Sequence, residues 1–426
     1  MNLFTQELKK LFKRRATVIC IGLGVLLCLG GGLWNALSNL PYQLEHHYSM
    51  EQAGPGEVRQ AKQNAEALQA ELTGEVLYGY WQQYMRAWQP GSTAYDSYYG
   101  RMMPTQQAWE QYKAPIGGVA YWMEQVAQQA VDRENHWALA TLSDAQAQDF
   151  WGLWRQARQN YLNGKLQGES EPVRAFYQGL ERRIQTPFTY GFYEGWQCFI
   201  DQFGDHSAFL ALFLCILAAS LYAGEYQSGA DAVLRCTRHG RGRLARAKLS
   251  AMLAFSTVFY LGGVALYYGT LLAAVGPVGW QCEIQLAWPF VSAVPLQMWQ
   301  LAVLGVLHGL LCALAAVAFT ALLSARMRTS FGAVVVGLLA FLLAVPVAGQ
   351  AADALRWSGL LADGVIPALP NLTSMMDGGD SFRFGQAWAL RGGVVWSPVL
   401  YLAMPVLLLA VCAPLAVRGY SRHEAC

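Results

Sequence analysis

Six runs of predominantly apolar residues divide this chain, at about 16–37, 207–224, 249–275, 296–323, 331–350 and 397–417. A helix rises 1.5 Å per residue, so roughly 20 such residues cross a hydrocarbon core of about 30 Å. Runs of this length and purity restrict the chain to a membrane-spanning helical fold. Charged residues make up only 14% of the 426 residues, where a soluble domain carries about 25%. The deficit is uneven, because residues 38–206 have the polar composition of an ordinary soluble protein. The first run, ATVICIGLGVLLCLGGGLW, spans the membrane by length and has no small-residue cleavage pattern after it, so it reads as a retained span. The third and fourth runs exceed the minimum and are expected to tilt or bend. Pro346, Pro398, Pro405 and Pro414 are expected to kink the last two.

Orientation follows from the basic residues of the short connections. Lys9, Lys10, Lys13, Arg14 and Arg15 precede the first run. Arg235, Arg238, Arg241, Arg243, Arg246 and Lys248 separate the second from the third. Arg326 and Arg328 join the fourth to the fifth, and Arg418 and Arg422 follow the sixth. These short segments hold 15 of the 30 basic residues and only four acids, Glu7, Glu225, Asp231 and Glu424. Both termini are therefore expected in the cytoplasm, which an even number of spans requires.

The expected fold is an all-α membrane protein with about six transmembrane helices and a mainly helical extracytoplasmic domain between the first and second. The divisions are 1–15, a cytoplasmic amphipathic helix; 16–37, the first span; 38–206, the extracytoplasmic domain; and 207–426, a five-helix region. This last region contains a cytoplasmic loop at 225–248 and an outer segment at 351–395. Within 1–15, Leu3, Phe4, Leu8, Leu11 and Phe12 share one helical face while Glu7, Lys9, Lys10 and Lys13 lie elsewhere, as in a helix resting on the lipid surface.

In the polar domain, Leu68, Leu72, Val76, Tyr80 and Tyr84 recur every four residues and predict one amphipathic helical face across 56–88. Ser143-Asp144 is a cap signal for a helix running through Phe150, Trp151 and Trp154 to Tyr161, and Pro172 suits a first helical turn. The Trp and Tyr content predicts an aromatic core or an aromatic binding face. Of nine cysteines, only Cys198 and Cys282 fall in segments expected on the extracytoplasmic side, where a disulfide between them is open.

Signals for chemistry are sparse. The chain has no GxxxxGK[ST] phosphate loop, HExxH or GxSxG, so it carries no ATPase motif of its own and is not read as an enzyme. Glu45, His46 and His47 include metal-ligating types but read first as a solvated loop cluster. His308, inside the fourth run, reads first as a residue bonded to a neighbouring helix, with a pore-facing role as the alternative. No cofactor, metal or nucleic-acid partner is called for.

The strongest local signal is the second-to-third connection. A span ends at Glu225, Tyr226 and a turn at Gly229 follow, and Arg238, Arg241 and Lys248 lead into the next span. Here the chain resembles the permease subunits of type-2 ABC exporters, which often carry a Glu-Tyr/Phe-x-x-Gly element after the second span. In that family a short helix, a turn Arg and a Lys entering the third span follow. Glu225, Tyr226, Gly229, Arg241 and Lys248 occupy those places, with Arg238 an alternative for the turn Arg, and Ala230 stands where the family usually has Thr.

The resemblance implies that this segment couples to a separate ATPase subunit that carries the ATP. It also implies a second permease subunit, identical or sister, in a multi-pass protein of the bacterial plasma membrane among its lipids. Glu225 is expected to pair with a basic residue of the loop or of the N-terminal helix. Two rival readings remain. One is a membrane-anchored sensor or assembly scaffold acting through the extracytoplasmic domain. The other is a membrane-embedded enzyme using His308 or Asp353, Asp363, Asp377 and Asp380.

Overall fold

The computed structural model describes residues 3–48, 53–237, 240–290, 294–355, 360, 365–376, 382–383 and 385–422, without the side chains of Arg235 and 344–355. Arg238, Asp363, Asp377 and Asp380, together with the side chain of Asp353, lie outside the described residues.

Among the described residues, five helices are long and apolar enough to cross a membrane: Arg15–Tyr48, Glu194–Ser228, Gly242–Ala274, Met298–Arg326 and Ser397–Arg422. A further helix, Ser330–Leu355, falls on the fifth apolar run, and its apolar part Ser330–Leu343 is shorter than a full span. Pro405 and Pro414 sit inside the last helix. The second, third, fourth and last of these long helices pack into one core, with the first against the second and third. Small residues permit the close approaches. A Cβ at Gly32 would fall 1.9 Å from Thr270 Oγ1, and one at Gly309 would fall 1.9 Å from the Tyr260 hydroxyl. Packing of this kind replaces the hydrophobic drive that is missing between helices in lipid.

Two of the helices outrun their apolar stretches. The first continues from Trp34 through a π turn at Asn35–Asn39 into Leu40–Tyr48. Asn35, buried in that turn, donates to the Tyr267 hydroxyl at 2.7 Å. The second helix begins at Glu194, well before the apolar run at 207. The polar domain is thus carried on rigid helical extensions of the bundle rather than on loops.

The domain itself is mainly helical with two short antiparallel hairpins, Thr93–Asp96 with Arg101–Pro104 in the domain and Ala387–Leu390 with Gly393–Trp396 beneath it. Its core is aromatic. Trp122 is fully buried among Phe150, Trp151 and Phe188, with ring centroids 5.5, 5.6 and 6.1 Å away. The domain is pinned to the connections between spans. Trp122 Nε1 donates to Gln285 O at 3.2 Å, and Arg158 Nη1 donates to Pro289 O at 2.7 Å. Arg158 also pairs with Glu181, and the Tyr177 hydroxyl donates to Gly385 O.

Three local expectations change. Residues 56–88 form two helices, Pro55–Ala67 and Gly74–Arg86, because the Thr73 hydroxyl accepts from Val76 N and starts a second helix. The buried face there is Leu77, Trp81 and Tyr84, while Val76 and Tyr80 are only half-buried. Ser143 caps only the short helix Asp144–Gln148, and Asp149 caps Phe150–Lys165. Cys198 and Cys282 are separate buried thiols. Pro172 does stand in the first turn of Glu171–Glu181.

Candidate functional site: an ionic node at the basic end of the bundle

The four basic stretches converge at one end of the bundle, where the turn after the second long helix meets every neighbouring element. Lys248, one turn and a half into the third helix, is 2% exposed. Its ammonium lies 2.7 Å from Glu225 Oε1 and 2.9 Å from Glu7 Oε2. Lys10 reaches Glu7 Oε1 at 2.5 Å, and the Tyr420 hydroxyl donates to Glu225 Oε2 at 2.8 Å. Two carboxylates and two ammonium groups cancel in charge. A buried ion costs several kcal/mol to desolvate and is retained only when paired and hydrogen-bonded, as Lys248 is here. Burial alone would raise the Glu7 carboxyl, but the charges and hydrogen bonds of Lys248 and Lys10 outweigh it and hold the group below the usual carboxylate value.

Neutral hydrogen bonds lock the same turn. Ser324 Oγ, on the fourth helix, accepts from Tyr222 N and Ala223 N, each at 3.0 Å, and donates to Ala219 O at 2.8 Å. One hydroxyl therefore serves three backbone groups left over where the helix ends. Tyr222 donates to Ala245 O at 2.9 Å and Tyr226 to Ala325 O at 3.2 Å. Both rings pack on Tyr420, with centroids 4.8 and 6.0 Å away. Arg14 donates to the Ser220 hydroxyl at 3.0 Å, tying in the start of the first span.

Gly229 takes φ +67°, a left-handed conformation that favours glycine, and so breaks the helix Ala223–Ser228 from the next one, Ala230–Arg235. This second short helix leaves Val233 exposed. Ser330 Oγ donates to Gln227 Oε1 at 2.9 Å, which brings the exposed Phe331 to the same end.

Of the residues singled out in the sequence, Glu225, Tyr226 and Lys248 come together in the node, and Gly229 makes the turn. Arg241 is exposed and stands just before the third helix without joining the node. The expectation that Glu225 pairs with a basic residue is met by Lys248, and the N-terminal helix enters through Glu7 rather than through its own lysines. Glu7, Ser324 and Tyr420 were not singled out. Their only sequence signal is position near an apolar run: Glu7 stands nine residues before the run that starts at 16, Ser324 one residue after 323 and Tyr420 three after 417.

Two other expectations are corrected. Glu45, His46 and His47 lie on a helix, not in a solvated loop. His47 is buried and stacked on Tyr121 at 3.9 Å. Among the described residues no group of three or more His, Cys, Asp or Glu is arranged to hold a metal ion. His308 is buried, with Nε2 3.2 Å from Cys312 Sγ on its own helix.

Long apolar helices packed around small residues, with a satisfied ionic node at the basic end, define a multi-pass membrane protein. The chain belongs to the ABC-2 family of transporter proteins, whose family model matches residues 1–420. No curated protein and no solved structure matches it.

Proposed function

We propose that this chain is the permease subunit of an ATP-driven exporter, powered by a separate ATPase subunit that docks on the end of the bundle holding the node. In this reading the node and both termini face the cytoplasm of a bacterial cell. The 38–206 domain lies outside the plasma membrane, and a second permease subunit, identical or sister, completes the pathway. The chain supplies no ATP site. The helix Ala230–Arg235 and the turn at Gly229 receive the push of the ATPase as it closes on ATP, while Arg241 and the neighbouring basic residues form the charged rim of that surface.

One observation carries the reading: Lys248 joins Glu225 to Glu7, so the turn, the third span and the N-terminal helix are held in a single ionic node. A displacement applied to a loop is dissipated unless the loop is bound to the helices it must move. This turn is bound to the first, third, fourth and last long helices. Topology alone requires basic residues at this end but no buried ion triad.

The test is charge reversal. Glu225→Lys, recovered in the membrane at normal levels, is expected to let the reconstituted complex hydrolyse ATP without export. Wild-type export by this variant contradicts the proposal. Glu225→Gln, which keeps the shape and the Tyr420 contact but removes the charge, is expected to fall between the two.

A further inference from the structure

A cavity of about 310 Å³ opens between the second and fourth long helices, near the end that carries the polar domain. Its size is at the lower limit of small-molecule sites, roughly 300–1,000 Å³. Its walls hold an unusual set of groups for a bundle whose spans are otherwise apolar: Asp201, Asp205, Tyr268, His308 and Arg383. Gly204 makes room for the facing wall, since a Cβ there would fall 2.3 Å from Met376 O. That wall is the short helix Leu372–Met376, fixed by Ser374 N donating to Asn371 Oδ1 at 2.9 Å.

The charges do not balance. Arg383 pairs with Asp201 and lies over the Trp288 ring, 4.3 Å from its centroid, so its charge is already met. Asp205 accepts no hydrogen bond among the described residues, which leaves one carboxylate in excess. The Tyr268 hydroxyl is buried and has no hydrogen-bond partner among the described residues. His308 is 2% exposed, and Cys312 occupies its Nε2, which leaves Nδ1 for an occupant. In the tautomer that carries its proton on Nε2, facing the sulfur, Nδ1 is an acceptor. In that tautomer a carboxylate, a hydroxyl and an imidazole nitrogen offer three acceptors and one net negative charge. An alkylammonium group has the matching complement of three donors, no acceptor and one positive charge. Buried polar groups left without partners cost free energy, and a ligand of this chemistry removes that cost.

We propose that this cavity binds a primary ammonium group, held by Asp205, Tyr268 and His308, with the Asp201–Arg383 pair as its wall. Two sources share that chemistry, a free amine in solution and the ethanolamine headgroup of a lipid. Binding does not depend on the transporter reading, so the test reads binding alone.

The experiment follows thermal unfolding of the full-length protein in phosphatidylcholine nanodiscs, with ethylammonium chloride titrated against sodium chloride at equal ionic strength. A ligand that binds only the folded state raises Tm in a saturable way. The expected result is such a rise with ethylammonium and none with sodium. Asp205→Asn is expected to move half-saturation upward by about tenfold or more, the loss of a hydrogen bond to a charged group. Repeating the measurement in phosphatidylethanolamine nanodiscs without added amine separates the sources. A rise that depends on Asp205 identifies the lipid headgroup, and no rise identifies the free amine. Identical curves in the two salts, or an unchanged half-saturation in Asp205→Asn, overturn the proposal. Should Asp205→Asn fail to fold, the comparison of the two salts on the wild-type chain still decides.

Discussion

The two ends of the bundle handle buried charge in opposite ways. At the basic end, Lys248 meets two carboxylates, each of which meets a second partner, Lys10 or Tyr420. At the domain end, Arg383 and Asp201 satisfy each other, but Asp205, Tyr268 and His308 face a cavity. A fully satisfied network is stiff and expensive to disturb, which suits an element that passes on a displacement. A network with open valences is suited to accept something from outside. The same helices, the second and the fourth, run between the two, so the proposed push at one end and the proposed occupant at the other would act on shared rods.

Breaking the node produces the largest expected effect. Lys248→Met leaves Glu225 buried without a cation and Glu7 with Lys10 alone, and is expected to cost about 3–5 kcal/mol, read as a loss of thermal or denaturant stability in detergent. Adding Glu7→Gln and Glu225→Gln to that variant should recover most of the loss, because the uncompensated charge, rather than the missing contact, carries the cost. Failure of the triple variant to recover would show that the node's shape matters more than its charge balance.

A smaller effect is expected from Ser324→Ala, which orphans Tyr222 N and Ala223 N at the end of the second helix. The expected cost is about 1–3 kcal/mol in the same assay, the penalty for an unmet buried donor. The matched change at the other end, Arg383→Met, breaks a pair whose carboxylate partner Asp201 is 30% exposed. Solvent screens that pair, so a loss of about 1 kcal/mol or less is expected. A larger loss from Arg383→Met than from Lys248→Met would invert the comparison.

The smallest effect is one of pH. The folded-state Glu7 carboxyl titrates below its ordinary value, so its contribution to stability is complete above that ordinary value and is lost as pH falls through the lowered one. Stability measured downward from neutral pH is expected to hold until the acid range and then fall. Glu7→Gln should flatten that acid limb. An unchanged acid limb in Glu7→Gln would place the titrating carboxyl elsewhere.

How much of this was legible depended on how local each signal is. The long apolar helices were legible because a run such as 249–275 satisfies the membrane criterion from its own residues. Glu225, Gly229 and Lys248 were legible because one connection holds all three. Glu7 and Tyr420 were not, because they stand at opposite ends of the chain and only tertiary packing brings them to Glu225. The register of 56–88 was misread because a spacing of four continues smoothly through Leu68, Leu72 and Val76, while the Thr73 cap that breaks it depends on backbone geometry. The cavity was missed for a related reason. Asp201 and Asp205 precede the apolar run and fall within the polar 38–206 region, but the second helix begins at Glu194 and carries both into the bundle wall.

The central claim is that the node is where an ATPase subunit engages. Its most direct test is to purify the chain gently from its native membrane and to identify and count what accompanies it by mass spectrometry. A stoichiometric subunit carrying a GxxxxGK[ST] phosphate loop is the predicted result. An intact preparation in which no ATPase accompanies the chain would contradict the claim and leave the sensor or scaffold reading, with the 38–206 domain as the working part.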